Sequence, residues 1–395
     1  MKITHRLRYR QRTLGLLGVA VVALGVLIAF APLPQINYWG IDIYTFRAAA
    51  KAMALGENPY DEPNILRFAD GATVGVIHNF VYAPFFGSIL RPLAWFKPVP
   101  ASRLWFICNL IFYFSSIILF IKAIQLQSSP GMFLLTVTAL ILYPPLRTTL
   151  IIGQSTLFLL FWFALSYYLM KRFSFILGGL SFSLVLFKPH LAPLILFYAI
   201  KRQWKFLVGL ILGVLITTLP FLGYLNDWLN SGTSAYDLNI DNGGCFRMVS
   251  ITAMAQCFLP TGWAQVVVIS LLVIALGLLF RYLWGDHTGH SSIFDRHVAL
   301  SIVTILLLLD NVRVADQVLL VLPILVIWRD WHFIQGLWLR RLAIALMMAV
   351  YVIPYAVDFL QPRNIAFILP LWYLGVSLAV AGLLLLQIRL TSKYD

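Results

Sequence analysis

A few charged residues interrupt the long apolar stretches of this chain, and they are the first candidates for chemistry. Lys188 and His190 stand together between two apolar segments, a pairing that suits the binding of an anion. Arg313 lies in a dense polar patch that ends at Asp316. The planar guanidinium of an arginine binds two phosphate oxygens at once, so this patch suits phosphate. Asp42, which follows the first long apolar segment, adds a carboxylate.

Each of these residues also has a purely structural interpretation. An aspartate at the start of a helix is often only an N-cap, which could explain Asp42. A lysine such as Lys188 can extend along apolar surface to the membrane interface. Arg313 could form an internal ion pair with a neighbouring carboxylate. Charges at membrane depth are costly and usually face a cavity, so we favour a functional role for Lys188 and Arg313.

Composition indicates that membrane helices position these residues. Of the 395 residues, 61% are hydrophobic and 11% are charged, against about 25% charged in soluble domains. Apolar segments run from end to end without a polar linker, so one membrane domain over residues 1–395 is expected. The net charge of +14 comes from short basic clusters between apolar segments. Such clusters orient membrane proteins, and no nucleic-acid partner is expected.

The apolar segments predict a polytopic α-helical protein in a lipid bilayer. A spanning helix needs about 20 apolar residues. Both termini are expected in the cytoplasm, because the basic clusters mark that side. With both termini on one side, the number of crossings must be even. One of the segments 80–96 and 132–146 is therefore expected not to cross, which leaves about twelve crossings. The candidate spans are 14–31, 80–96, 104–123, 132–146, 151–170, 173–187, 191–200, 206–222, 266–283, 298–309, 318–328, 342–355 and 365–388.

The same rule assigns the polar candidates to the opposite face. From Lys171 onward, each pair of neighbouring basic clusters encloses two apolar segments. The chain then crosses the membrane twice between clusters, so the turn at Lys188 and the turn 310–316 lie outside. Arg147 and Gln154, near the turn at Gly153, fall outside as well.

The two large outside loops carry further expectations. In the first, residues 38–56 have the pattern of an amphipathic helix lying along the membrane surface, ended by Gly56. Cys245 and Cys257 share the later loop, 223–262, and could form a disulfide there or stay free. The cysteines show no metal spacing.

Several short motifs occur in order over roughly residues 38–330. They are Asp42-Ile-Tyr44 with Ala48-Ala-Ala50, Gly56-Glu-Asn-Pro-Tyr60, Phe80-Val-Tyr-Ala-Pro-Phe85, Leu104-Trp105 with Asn109, Gly153-Gln154, Gly178-Gly179 with Lys188-Pro189, and Asp316. Together these motifs resemble glycosyltransferase family 87. Tyr82 lies in an element similar to the family's Tyr-Pro-Pro motif, in which Ala83 replaces the first proline. The stretch 244–251 departs from the Asn-rich late loop that the family often has.

The resemblance implies an all-α GT-C-type bundle in the bacterial inner membrane. Such an enzyme would move mannose or a similar sugar from a polyprenyl-phosphate donor to an extracytoplasmic hydroxyl of a glycan, glycolipid or protein. Asp42 would be the catalytic base of an inverting displacement, and no cofactor is expected. No cluster of carboxylates in the sequence demands a metal, but Asp310 and Asp316 leave metal dependence open. The residues implied in binding the donor phosphate and sugar are Lys188, His190, Arg313, Arg147, Asp316, Gln154 and Tyr82.

Two other classes of membrane protein share part of this pattern. A transporter or flippase for lipid-linked saccharides would also have broken helices and buried charges, but transporters commonly show internal repeats. We see no repeated halves in this sequence. A polysaccharide ligase or polymerase should carry paired arginines in a large late outside loop, whereas 223–262 holds only Arg247. The glycosyltransferase is therefore the favoured interpretation.

Overall fold

A computed structural model describes residues 40–69, 79–127, 140–188, 191–231, 249–252, 291–309, 312–334 and 368–391, with isolated positions between 263 and 345. These residues form helices and no β-strand, which confirms the all-α class for this part of the chain. The predictions made for 14–31, His190, Asp310, Cys245 and Cys257 lie outside it, as do most of 132–146, 266–283 and 342–355. A single domain over 1–395 also stays a prediction.

Several of the described α-helices adjoin a short 3-10 segment. Short 3-10 segments are Arg91–Trp95, Ser183–Phe187, Leu219–Tyr224, Val314–Leu320 and Trp331–Phe333. The α-helices are α1 Ile41–Ala54, α2 Glu62–Phe68, α3 Pro84–Ile89, α4 Pro98–Ile124, α5 Pro144–Ile152, α6 Thr156–Arg172, α7 Phe175–Phe182, α8 Leu194–Ile200, α9 Trp204–Thr218, α10 Ser292–Leu308, α11 Val321–Arg329 and α12 Ile368–Thr391.

Three helices in the described ranges are long and apolar enough to cross a bilayer. They cover Pro98–Ile124, Trp204–Ser231 and Leu371–Arg389. A fourth span results if α5 and α6, which meet at 119°, are counted together as one broken crossing. The chain is thus a membrane protein, while the total of about twelve crossings stays a prediction.

The segment 80–96 is one of the two that the parity of the basic clusters left in question. It forms α3, of six residues, followed by a 3-10 turn of five. A six-residue α-helix is only about 9 Å long, against about 30 Å for the hydrocarbon core. This segment therefore does not cross as one continuous helix, which agrees with the parity argument.

The helix predicted in the first outside loop exists as α1, and neighbouring elements enclose it. Ten of its 14 residues are buried, and it packs on α2, α3, α4 and the turn Arg91–Trp95. Small residues on several faces, Ala48 to Ala50 and Ala52, permit contact on all sides. The position of α1 along the membrane surface stays a prediction. By contrast, α2 buries only Ile65 and Phe68.

Basic clusters that the sequence assigned to one side meet at one end of the bundle. Lys171, at the C-terminal end of α6, pairs with Asp295 of α10 at 2.8 Å, and Asp295 also pairs with Arg329 of α11. The Asp330 carboxylate pairs with Arg296 Nε at 2.6 Å and with Arg329 Nε at 2.8 Å. Since α6 has 17 residues, its other end lies about 25 Å away. The candidate site is at that other end.

Candidate active site

The site is built where α1 meets the turn between α5 and α6. The Gly40 amide donates to the Ile151 carbonyl at 2.7 Å, and a Cβ on Gly153 would lie 3.3 Å from Gly40 Cα. Both glycines have positive φ, +68° and +78°, which other residues rarely adopt. Trp105 Nε1 donates to the Gly153 carbonyl at 2.8 Å. This close approach places the N-terminus of α1 beside that of α6.

Gly40 is the N-cap residue of α1 and Asp42 lies in the first turn, so the N-cap interpretation of Asp42 does not hold. It is 7% exposed, and Oδ2 has no hydrogen-bond partner in the described part of the chain. Burial raises the pKa of Asp42 to about 6, against the lowering effects of Arg313, Lys188 and a hydrogen bond with Gln154. Asp316 contributes a smaller rise. Such a carboxylate can accept a proton near neutral pH.

Lys188 follows the turn Ser183–Phe187 and points into the protein. It is only 8% exposed, so it does not extend to the membrane interface. Its Nζ pairs with Asp316 Oδ1 and donates to Thr156 Oγ1 at 3.1 Å. The Thr156 hydroxyl in turn donates to Asp316 Oδ1 at 2.8 Å. An ammonium, a hydroxyl and a carboxylate thus form one buried group.

Arg313 and Asp316 close the turn that begins the 3-10 helix Val314–Leu320. The Asp316 amide donates to the Arg313 carbonyl at 2.9 Å, and the Arg313 amide donates to Asp316 Oδ2 at 3.0 Å. The charge of Arg313 lowers the pKa of both Asp42 and Tyr82. The guanidinium therefore contributes positive charge to the same site as Lys188.

Tyr82 supplies an aromatic ring beside the charged residues. Its ring centroid lies 5.2 Å from that of Phe46 and 5.8 Å from that of Phe187. Burial raises the pKa of the Tyr82 hydroxyl and the charge of Asp42 raises it further, while the nearby Ser155 hydroxyl lowers it. A hydroxyl that stays protonated can donate to a ligand.

The structure brings together most of the residues that the sequence proposed. Those in the cluster are Asp42, Tyr82, Gln154, Lys188, Arg313 and Asp316. Arg147 differs from them because its side chain is exposed on α5.

Sequence reasoning missed Ser155 and Thr156, which are fully buried at the start of α6. The one available signal was the glycine-led turn before an apolar run, since hydroxyl residues are common at helix starts.

A comparison with protein families decides the class of this protein. A family model described as glycosyltransferase family 87 matches residues 80–309, more than half of the chain. The chain belongs to glycosyltransferase family 87. Tyr82, Gln154 and Lys188 fall inside the matched range, whereas Asp42 and Asp316 fall outside it. No curated protein and no solved structure matches the chain.

Membership of family 87 makes the protein a membrane glycosyltransferase, an enzyme that needs a nucleophile deprotonated and a leaving group stabilised. The buried carboxylate and the cations provide groups suited to both tasks. Within the described ranges, no three His, Cys, Asp or Glu side chains group so as to hold a metal ion. The expectation that the reaction needs no cofactor stays a prediction.

Proposed function

We propose that this family 87 glycosyltransferase moves a sugar, mannose or a similar hexose or pentose, from a polyprenyl-phosphate donor to an acceptor hydroxyl outside the cytoplasm. One observation carries the proposal. A buried carboxylate with an unbonded oxygen, Asp42, shares its site with two cations, Lys188 and Arg313. A displacement that releases a lipid phosphate needs this combination, a proton acceptor together with fixed positive charge.

The cations suit the leaving phosphate. Negative charge grows on the phosphate as it departs, and donors fixed in advance stabilise that charge most. Lys188 has three N–H donors, and its contacts with Asp316 and Thr156 use two of them. The third can reach a phosphate oxygen. Arg313 adds a second positive charge that acts on Asp42. His190 and the exposed Arg147 stay the further proposed contacts of the phosphate.

Asp42 is the proposed general base. The acceptor oxygen attacks the anomeric carbon while the bond from that carbon to the phosphate oxygen breaks. The bonding electrons leave with the polyprenyl phosphate, and the hydroxyl proton passes to Asp42. A single displacement of this kind inverts the anomeric centre. A phosphate leaves without being protonated, so no second carboxyl group is needed as an acid.

Tyr82 and Gln154 are the proposed sugar-binding residues. Both lie beside Asp42, where the anomeric carbon must be held. The Tyr82 ring offers an apolar face to the sugar, and its protonated hydroxyl offers a donor. The amide of Gln154 can both donate to and accept from sugar hydroxyls.

The two ends of α6 support the proposed location of the site on the outer side of the membrane. The end at Lys171 carries the ion-pair network made from basic clusters, and such clusters favour the cytoplasm. Thr156 and the candidate site, at the other end, then face outward, in keeping with a bacterial inner-membrane enzyme. A lipid-linked donor suits that location, because the sequence has no nucleotide-binding motif.

The donor class can be tested with purified protein in nanodiscs, using acceptor-containing membrane extract. Polyprenyl phosphate [³H]mannose and GDP-[³H]mannose are compared, with release of free polyprenyl phosphate and of GDP, respectively, as the readouts. We expect consumption of the lipid donor alone. Use of the nucleotide sugar would contradict the donor assignment. Movement of the intact lipid donor across the bilayer without cleavage would favour the transporter instead.

A further inference from the structure

Three segments that are distant in the sequence meet in the buried group around Lys188. Thr156 opens α6, Lys188 follows the turn Ser183–Phe187, and Asp316 lies in the first turn of the 3-10 helix Val314–Leu320. All three side chains are at least nine-tenths buried. Buried charges are costly unless they are paired and hydrogen-bonded, so this arrangement fixes where Lys188 can point.

Both oxygens of Asp316 are already engaged. Oδ1 accepts from Lys188 and Thr156, and Oδ2 accepts from the Arg313 amide. A carboxylate would also repel a phosphate. The sequence-based expectation that Asp316 itself binds the donor therefore needs a different interpretation.

Thr156 determines the direction of the Lys188 ammonium. A lysine side chain is long and flexible, and one ion pair leaves its head group free to turn about the carboxylate. The Thr156 hydroxyl accepts from Nζ at 3.1 Å and donates to the same Asp316 oxygen at 2.8 Å. Two fixed contacts leave one N–H donor in a defined direction.

We propose that Thr156 and Asp316 are positioning residues that hold the Lys188 ammonium for the phosphate of the lipid donor, and that Asp316 does not bind the donor directly. This inference rests on the proposed function. It assigns a role to Thr156, whose hydroxyl links Lys188 to Asp316, and it makes the backbone turn at Arg313 part of the same support.

The test compares two ligands that differ only in the phosphate. Dissociation constants for polyprenyl phosphate and for the corresponding polyprenol are measured on the full-length protein in nanodiscs, and their ratio isolates recognition of the phosphate. Thr156→Val removes the hydroxyl, while Thr156→Ser retains it. We expect Thr156→Val to reduce the ratio by about tenfold, as for loss of a hydrogen bond to a charged group. Thr156→Ser should stay within about twofold of the wild type.

The pH dependence of transfer separates positioning from general damage. The groups that act on Asp42 are Arg313, Lys188, Gln154 and Asp316. Asp316→Asn removes a negative charge that raises the pKa of Asp42, so the acid limb of the pH profile should move to lower pH. Thr156→Val changes no charge and should leave that limb in place.

The outcomes distinguish this inference from the proposed function. Equal phosphate preference in wild type, Thr156→Val and Thr156→Ser would overturn the positioning role and leave the donor assignment standing. A wild-type protein that binds polyprenol as tightly as polyprenyl phosphate would overturn the donor assignment, and the positioning role with it.

Discussion

Asp42 and Lys188 interact electrostatically within the buried site. Burial raises the pKa of the Asp42 carboxyl, and the positive charge of Lys188 lowers it. The two residues belong to different elements. Asp42 lies in the first turn of α1, and Lys188 directly follows the turn Ser183–Phe187. The Ala83 amide, which donates to the Phe187 carbonyl at 3.1 Å, ties the residue after Tyr82 to that same turn. A buried carboxylate and a buried cation therefore share one site.

The pH profile of transfer should report the ionisation of Asp42. A general base acts when deprotonated, and the pKa of Asp42 is about 6. We expect kcat/KM to be constant above neutral pH and to fall about tenfold per pH unit well below pH 6, because the active fraction is then proportional to hydroxide. Steady-state rates between pH 4.5 and 8.5 test this, and a rate that is still constant at pH 4.5 would contradict it.

Replacing Lys188 with methionine should remove charge that stabilises the leaving phosphate. Loss of one such group typically slows a reaction by about 10²–10³-fold. The acid limb of the pH profile should also move to higher pH, because the charge of Lys188 lowers the pKa of Asp42. Donor affinity and single-turnover rates are the measurements.

Lys122 provides the matched control for Lys188, because it is an exposed lysine near the end of α4. Lys122→Met should leave both the donor affinity and the rate near those of the wild type. Equal effects of the two substitutions would remove Lys188 from the phosphate site.

The crossing of α7 and α9 should not tolerate a side chain at Gly179. A Cβ there would lie 1.9 Å from the Phe206 carbonyl oxygen and 2.7 Å from the Leu210 amide. Backbone atoms cannot yield as flexible side chains do, so we expect Gly179→Ala to destabilise the protein by about 1–3 kcal/mol or more. Gly375→Ala in α12 is the control, since nothing lies within 4 Å of its Cβ position. Equal melting temperatures for both variants would contradict the packing.

The ion-pair network at the other end of the bundle should matter for stability and not for donor binding. Asp330→Ala leaves Arg296 and Arg329 without a shared buried carboxylate. Removing one partner of a buried pair typically costs about 3–5 kcal/mol. Thermal unfolding in detergent measures the loss, and Glu62→Ala, at an exposed position of α2, is the control. Loss of polyprenyl phosphate affinity in folded Asp330→Ala would show that the two ends are coupled.

The sequence identified the charged members of the site because charges are rare in membrane segments and have few structural uses there. It could not identify Thr156, because a hydroxyl at a helix start is common and its contact with Asp316 joins positions 160 residues apart. Arg147 shows another limit. The number of membrane crossings before a residue predicts its side of the membrane. It does not predict whether the side chain is buried or exposed.

The burial of α1 could not be predicted from the sequence for a related reason. The apolar periodicity of 41–54 correctly predicts a helix, but its alanines look neutral in the sequence. Only the assembled neighbours show that Ala48, Ala49 and Ala50 allow burial on several faces, and so place Asp42 inside the protein rather than at its surface.

The most direct test of the account is single-turnover transfer by the Asp42→Asn variant. The substitution keeps the size of the side chain and removes the proton acceptor. With polyprenyl phosphate [³H]mannose and saturating acceptor extract, we expect the rate to fall by about 10²–10⁴-fold. The melting temperature and the affinity for polyprenyl phosphate should not decrease. A folded Asp42→Asn protein that transfers the sugar at nearly the wild-type rate would contradict the account.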